Sequence, residues 1–385
     1  MKKLSPKLQL NWRNIDHIFL LTVIALTAYG LVMVFSASAP SAFYIHGDSM
    51  FFFKNQAIWA VLGFVVMIVV SMIDYKFIKR FIMPIYIVAM ILLLAVLFIG
   101  QRINGAKRWL DFGFSTIQPS EFAKIAIVMA CAWVLSKVKT IDVKESLPHL
   151  IICGMLVGFA AIMLLLQPHF SAILIILLAL GIMMIAAGIP MRLFSVIAGI
   201  VALVGVIFAI AEPYRLQRLI SFTDPFQDKS GDGWQVVQSL YAIGSGGFSG
   251  LGLGRSRQKF LYIPEPQNDF IFSIICEELG FLGALAVLVL FALLLYRAVK
   301  IALKAPDRYS MLLVFGLISL TIVQVLLNIG VATSSVPPTG IPLPFFSAGG
   351  TSFVFQMISM GMILNISAQP KKSSKTEIRE SDSFE

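Results

Sequence analysis

Charge is what this sequence has least of. Only 13% of its 385 residues are Asp, Glu, Lys or Arg, about half the share of an ordinary soluble domain. Four histidines, His17, His46, His149 and His169, are scattered along the chain, with neither an HExxH motif nor a serine–histidine arrangement. A histidine-rich metal centre and triad hydrolysis are therefore not expected. The three cysteines, Cys131, Cys153 and Cys276, lie inside apolar runs without CxxC spacing. That excludes a disulfide scaffold and leaves them as small buried hydrophobes. The glycine-rich stretch has no GxGxxG or P-loop register and follows no strand, which disfavours nucleotide binding. Disorder is excluded by an excess: 58% of residues are hydrophobic, and mean hydropathy is +0.88.

What fills the chain is long apolar runs. A helix needs about 20 mostly apolar residues to cross a bilayer core. Ten runs qualify, at about 17–37, 55–73, 80–99, 120–136, 150–167, 170–187, 192–212, 268–296, 309–333 and 346–368. They are rich in Leu, Ile, Val, Phe and Met and lack two-residue alternation, which predicts helices and not a β-barrel. The expected fold class is all-α, a polytopic integral membrane protein. A 1–16 N-terminal segment precedes a 17–368 membrane domain, which has a large loop at 213–267 between spans seven and eight. A polar, Ser-rich tail at 369–385 reads as disordered. The basic start and Ser36-Ala37-Ser38-Ala39 also resemble a signal peptide, but the run is long enough to span and nine more follow. No internal repeat and no matching pair of broken helices is visible.

Lysine and arginine set the orientation. Nineteen of the thirty fall on the N-terminus, the loops after spans two, four, six and eight, and the tail; ten fall on the opposite side. Both termini are thus expected in the cytoplasm. Nine of the ten outer positives lie in two loops: Arg102, Lys107 and Arg108 after span three, and Arg215, Arg218, Lys229, Arg255, Arg257 and Lys259 after span seven. Guanidinium forks and ammonium charges beside membrane spans suit the phosphates of a pyrophosphate-bearing lipid. Attraction to membrane lipid headgroups or to an anionic wall polymer is the plainer alternative. Nucleic acid is not an expected partner on an extracytoplasmic face.

Ionisable residues inside spans are expensive and mark sites. Glu121 and Lys124 stand at i, i+3 on one face of span four and can pair. Glu277 and Glu278 lie in span eight, with Asp269 at its start. Lys124 could equally neutralise Glu277 or Glu278 as a packing device. All lie in the outer half of the membrane, whereas a secondary transporter keeps its site at the midplane. The 213–267 loop is too long for a connector. Within it, Trp234 to Ile243 reads as an interfacial helix with Val237, Leu240 and Tyr241 on one face. Six glycines then fall between Gly244 and Gly254, and prolines hold Glu265 and Asp269 at the membrane surface. Asp269 has two readings, a catalytic carboxylate and the N-cap of span eight.

Four motifs, in order, resemble those of the SEDS family, which comprises FtsW, RodA and SpoVE. They are Asn104-Gly-Ala-Lys-Arg-Trp109, Gln118-Pro-Ser-Glu-Phe-Ala-Lys124, Pro264-Glu-Pro-Gln-Asn-Asp-Phe-Ile-Phe272 with Glu277-Glu-Leu-Gly280, and Gly340-Ile-Pro-Leu-Pro-Phe-Phe-Ser347 with Gly349-Gly350. The resemblance covers essentially all ten spans. Tyr214-Arg-Leu-Gln-Arg218, Gln238-Ser-Leu-Tyr-Ala-Ile243 and Ser256-Arg-Gln-Lys259 look like the FtsW/SpoVE branch more than RodA.

The resemblance implies a peptidoglycan glycosyltransferase that polymerises lipid II into glycan strands at the outer face, for septal or sporulation wall synthesis. It implies a class B penicillin-binding protein transpeptidase and other division proteins as partners. By it, Asp269 matches the family's essential aspartate, the expected general base, and Arg108, Glu121 and Lys124 match functional positions. Arg255, Arg257, Lys259, Glu277 and Glu278 are the further substrate-binding candidates. No metal ligand set is expected, though a divalent cation, Mg or Mn, could share the charge of the departing pyrophosphate. Inversion at the anomeric carbon is the implied outcome. Two positions depart from the family pattern: His169 stands where Asp is common, and Ala348 where Tyr is common. The competing functions are a lipid II flippase and a non-catalytic division scaffold. Charges gathered at the outer mouth argue against the first, and carboxylates and bases sharing one face against the second.

Overall fold

A computed structural model describes residues 15–369 except 104–105, 114, 139–141, 211–221, 223–224, 227–231 and 261. Asn104, Arg215, Arg218, Lys229, most of the 1–16 segment and the tail from 370 lie outside the described residues. Each of the ten apolar runs is a helix. In chain order they are α1 (His17–His46), α2 (Phe51–Met72), a short α3 (Tyr75–Arg80) leading into α4 (Ile82–Ile99), α5 (Pro119–Leu135), α6 (Val143–Leu166), α7 (Phe170–Ala186) and α8 (Met191–Ile210). After α9 (Asp232–Gly246), which belongs to the large loop, come α10 (Ile271–Leu303), α11 (Arg308–Ala332) and α12 (Gly350–Ser367). Seven are long and apolar enough to cross a membrane; α5, α7 and the described part of α8 are shorter. The chain is a multi-pass membrane protein.

Lipid is as apolar as leucine, so helices within it associate by close packing and buried polar contacts. Burial therefore separates central from peripheral helices. In α11, 72% of the most apolar stretch is buried, against 28% in α2, α6 and α10. Helices α5 and α11 form the centre, and α5 is buried along nearly its whole length. Gly361 of α12 lies so close to Met67 of α2 that a side chain there would strike its backbone.

Both ends of the bundle have a polar anchor. Asp16 caps α1, accepting from Phe19 N at 2.9 Å, and Arg297 of α10 grips its carboxylate with Nη2 at 2.5 Å and Nε at 3.0 and 3.1 Å. The Asp16 amide donates to Ser367 Oγ, so the first and last spans finish together at one end. The opposite end carries the large loop. There β1 (Gln101–Ile103), β2 (Ala106–Asp111) and β3 (Thr116–Ile117) form a small antiparallel sheet in the order β1-β2-β3. The strands are too short for alternation to reveal them in sequence; they place Arg108 beside α5.

Three features add to what the runs display, the first of them moving Tyr241 off the expected buried face. Helix α9 packs on α10 and buries Val236, Val237, Gln238, Ser239 and Ala242, with Tyr241 exposed. Its Ser239 Oγ sits 2.5 Å from Ser273 Oγ and donates to Ala332 O. Helix α12 begins only at Gly350: residues 340–349 are a non-helical segment, buried at 343–347 and tucked against α1, with Phe345 O touching Gly30. Irregular backbone at such depth is tolerated only where protein covers it. Finally, α10 is a broken helix. Gly280 has φ 65° and ψ −160°, a conformation only glycine adopts without strain. Phe281 N and Leu282 N leave the helix ladder for Gly247 O and Phe248 O, while Leu251 N and Gly252 N donate to Glu277 O and Glu278 O. The glycine-rich segment thus threads into the break, and Gly246, Gly250 and Gly280 leave no room for a Cβ.

Candidate active site

The 340–349 segment grips the stretch that carries Asp269. Ala348 N donates to Gln267 O at 2.8 Å, Ser347 Oγ to Asn268 O, and Asn328 Nδ2 of α11 to Asp269 O at 2.7 Å. Three consecutive carbonyls are therefore fixed. Asn328 Nδ2 also donates to Ile341 O at 2.8 Å, and Ser347 Oγ accepts from Leu343 N at 2.7 Å. The N-cap of α10 is Phe270, one residue after Asp269, and the Phe270 side chain makes no cap bond. The half-buried Asp269 side chain stands on a backbone held by three hydrogen bonds.

Glu121 and Lys124, on the first turns of α5, form an ion pair of 2.8 Å, with the Lys124 side chain 4% exposed. Glu121 borders a small cavity of about 30 Å³ shared with Gln324 of α11, Gln356 of α12 and the 342–349 segment. Nearby, the Arg108 guanidinium donates through Nε to Gln167 O at 3.3 Å and through Nη2 to Pro168 O. Arg108 so closes the turn between α6 and α7, where Pro168 has the strained φ of 26°. The same turn is fixed by Gln167 Nε2 on Leu93 O and by Ser171 Oγ on Thr339 O. His169 sits in this turn with Nδ1 buried and unpartnered. Burial of the ring, helped by the Arg108 and Lys124 charges, pulls its pKa down to about 3, so the imidazole is neutral. The Asp269 stretch and Glu121 thus share the 340–349 segment, while Arg108 and Lys124 share the surroundings of His169.

Glu277, Glu278 and Lys259, expected at the substrate, instead form a network of their own. Glu278 pairs with Lys259 Nζ at 2.7 Å and accepts from Ser36 Oγ at 2.5 Å. Glu277 accepts from Ser256 Oγ at 2.5 Å and from the Arg257 and Gln258 amides. None of the three is more than 3% exposed. Lys124 neutralises neither of these carboxylates, since Glu121 is its partner. The network ties the 255–259 loop to the turn of α10 just before its break. Breaking such a buried pair by removing one partner costs on the order of 3–5 kcal/mol. Arg255 and Arg257 are exposed, with no ion-pair partner among the described residues. Sequence reasoning missed Asn328, Ser36 and Ser256 because it weighed only ionisable side chains in the spans. An asparagine inside an apolar run was the available signal for the first.

No group of three or more metal-ligating side chains occurs among the described residues.

Comparison with known proteins decides the lineage. The family model described as "Cell cycle protein", covering FtsW, RodA and SpoVE, matches residues 16–372. The chain belongs to this family. It is 40% identical over 371 residues to stage V sporulation protein E of Bacillus subtilis, covering 95% of this chain and 98% of that one. It is 40% identical over 361 residues to a probable peptidoglycan glycosyltransferase FtsW of Trichlorobacter lovleyi, covering 92% and 93%. Among solved structures, a chain of a peptidoglycan synthase complex that coordinates polymerization and crosslinking superposes with a TM-score of 0.78 at 27% identity, over 92% of this chain and 98% of that one. The rod shape determining protein RodA of Thermus thermophilus superposes with a TM-score of 0.69 at 27% identity, over 94% and 100%. The SEDS fold expected from the motifs is the fold found.

Proposed function

We propose that this SEDS protein is a peptidoglycan glycosyltransferase that joins lipid II units into glycan strands. The site works at the loop end of the bundle, which the lysine and arginine distribution assigns to the extracytoplasmic side of a bacterial cytoplasmic membrane, with both termini inside. The observation that carries the reading is the backbone-clamped Asp269 stretch sharing the 340–349 segment with the Glu121–Lys124 pair. It lies in a chain 40% identical to a protein named as such a transferase.

In this reading a sugar hydroxyl of one substrate attacks the anomeric carbon of the other. The Asp269 carboxylate takes the hydroxyl proton as general base. The bond from the anomeric carbon to the lipid pyrophosphate breaks, the pyrophosphate leaves with the electron pair, and the anomeric centre inverts. Lys124 and Arg108 bring fixed positive charge to the leaving group in a water-poor site, where it acts most strongly. Glu121 keeps the Lys124 ammonium in place, and Arg108 also holds the His169 turn. Glu277, Glu278 and Lys259 position the loop and do not touch substrate. A magnesium or manganese ion belongs with the substrate's own phosphates in this account. The reading extends to a class B penicillin-binding protein as partner, supported by the synthase complex that this fold resembles.

The test is glycan polymerisation from purified lipid II, with and without a class B partner. Wild-type protein is expected to yield polymer, and Asp269→Asn none. Folded wild-type protein that makes no polymer in either condition would remove the reading.

A further inference from the structure

A second cavity lies at the loop end, sharing no lining residue with the space beside Glu121. It is a groove of about 510 Å³ between α1 and the 253–260 loop. Phe35, Ala39 and Phe43 form one wall, Leu253 and Phe260 the other. Phe43, Leu253 and Phe260 are each more than half exposed. The floor is polar: Ser36 and Lys259 meet there, both bound to Glu278. Between the two loop residues of the wall, the chain carries Arg255 and Arg257. Both side chains are exposed and without an ion-pair partner among the described residues. Their backbone is not loose, because the Ser256, Arg257 and Gln258 amides donate to Glu277 and Glu278. The groove is thus an apolar slot walled by a backbone-anchored loop that carries two exposed arginines. That succession matches one lipid molecule, an alkyl chain followed by a phosphate.

We propose that this groove binds one anionic glycerophospholipid, with an acyl chain between α1 and Phe260 and its phosphate on Arg255 and Arg257. Charge complementarity selects the occupant. A zwitterionic headgroup would set a third cation beside the two arginines, and an apolar partner helix would cover them without neutralising them. The site lies apart from the polymerising one. Its effect on the enzyme runs through the floor: Ser36 and Lys259 hold Glu278 just ahead of the break in α10, so a lipid seated above them braces the loop that leads to Asp269.

The test needs no turnover. Protein in phosphatidylcholine nanodiscs is titrated with phosphatidylglycerol of the same acyl chains, and retained lipid is counted by native mass spectrometry. Wild type is expected to keep one phosphatidylglycerol with about tenfold preference, a difference of about 1.4 kcal/mol. The double variant Arg255→Gln/Arg257→Gln should lose the preference. Ala39→Trp, which fills the slot, should lose the bound lipid; Leu253→Trp does the same from an exposed position should Ala39→Trp fold poorly. Equal retention of the two phospholipids, or unchanged binding in both groove-filling variants, would overturn the proposal. So would displacement by an equimolar isoprenyl pyrophosphate, which would give the groove to the substrate's chain. Polymerisation failing in wild type while this lipid stays bound would count against the functional reading alone.

Discussion

Asn328 and Asp269 are joined through the asparagine's amide: one Nδ2 donates to Asp269 O at 2.7 Å and to Ile341 O at 2.8 Å. A single buried side chain in α11 thus ties the proposed base to the segment lining the opposite side of the site. An amide serves here because its NH₂ group offers two protons from one atom without burying a charge.

Replacing Asn328 therefore tests positioning. Asn328→Leu leaves two carbonyls without a donor at depth, at about 1–3 kcal/mol for each unsatisfied group. The expected outcome is folded protein with a lowered melting temperature and polymerisation reduced at least tenfold. Asn328→Gln, which keeps the donors on a longer arm, should recover part of the rate. Equal rates in Leu and Gln variants would mean that the clamp does not matter to the chemistry.

Asp269→Asn changes little but the carboxylate. Phe270 and not Asp269 is the N-cap of α10, and an amide keeps the shape of the carboxylate. Thermal unfolding should match wild type while polymer formation disappears. A melting temperature lowered as far as a lost cap would require would reinstate a structural role.

The Glu121–Lys124 pair is buried on the lysine side and open to the small cavity on the other. Lys124→Met strands a carboxylate, so it should cost more stability than the double variant Glu121→Gln/Lys124→Met, in which no charge is left unpaired. Both should be inactive if Lys124 stabilises the leaving group. Unfolding midpoints and polymerisation of the two variants, measured side by side, separate packing from chemistry. An active double variant would take the pair off the catalytic list.

The sequence displayed the spans because hydropathy is local, and it displayed Asp269, Arg108, Glu121 and Lys124 through motifs of charged residues in an uncharged chain. It did not display what those residues lean on. The pairing of Lys259 with Glu278 and the fit of Gly250 into the break at Gly280 join positions up to thirty residues apart. No periodicity records such contacts. The sheet that holds Arg108 was hidden for another reason, since its strands have three, six and two residues. The apolar run at 346–368 misled in a third way: buried irregular backbone is as hydrophobic as a helix, and composition cannot distinguish them.

Gly280→Ala should disable the loop. Its φ of 65° is strained for any L-residue, and a Cβ would strike the backbone of Gly250 and Phe248. Loss of activity is expected, with the 247–254 backbone amides exchanging faster with solvent. Protection unchanged from wild type would mean that the loop does not depend on the break.

His169 offers a test by pH. Its folded pKa is held near 3 by burial and by the facing charges of Arg108 and Lys124, while an unfolded histidine titrates at about 6.5. As pH falls, the unfolded chain therefore takes up this proton first, and stability drains toward the unfolded state. The contribution is fully present above about pH 6.5 and is lost progressively as pH falls toward about 3. His169→Gln is neutral throughout and removes this dependence. Melting temperatures taken from about pH 7.5 down to about pH 5 should fall for wild type and fall less for His169→Gln. Lys124→Met, which lifts one of the two facing cations, should lie between them. Parallel curves for wild type and His169→Gln would mean that the ring accepts its proton in the folded protein as readily as in water.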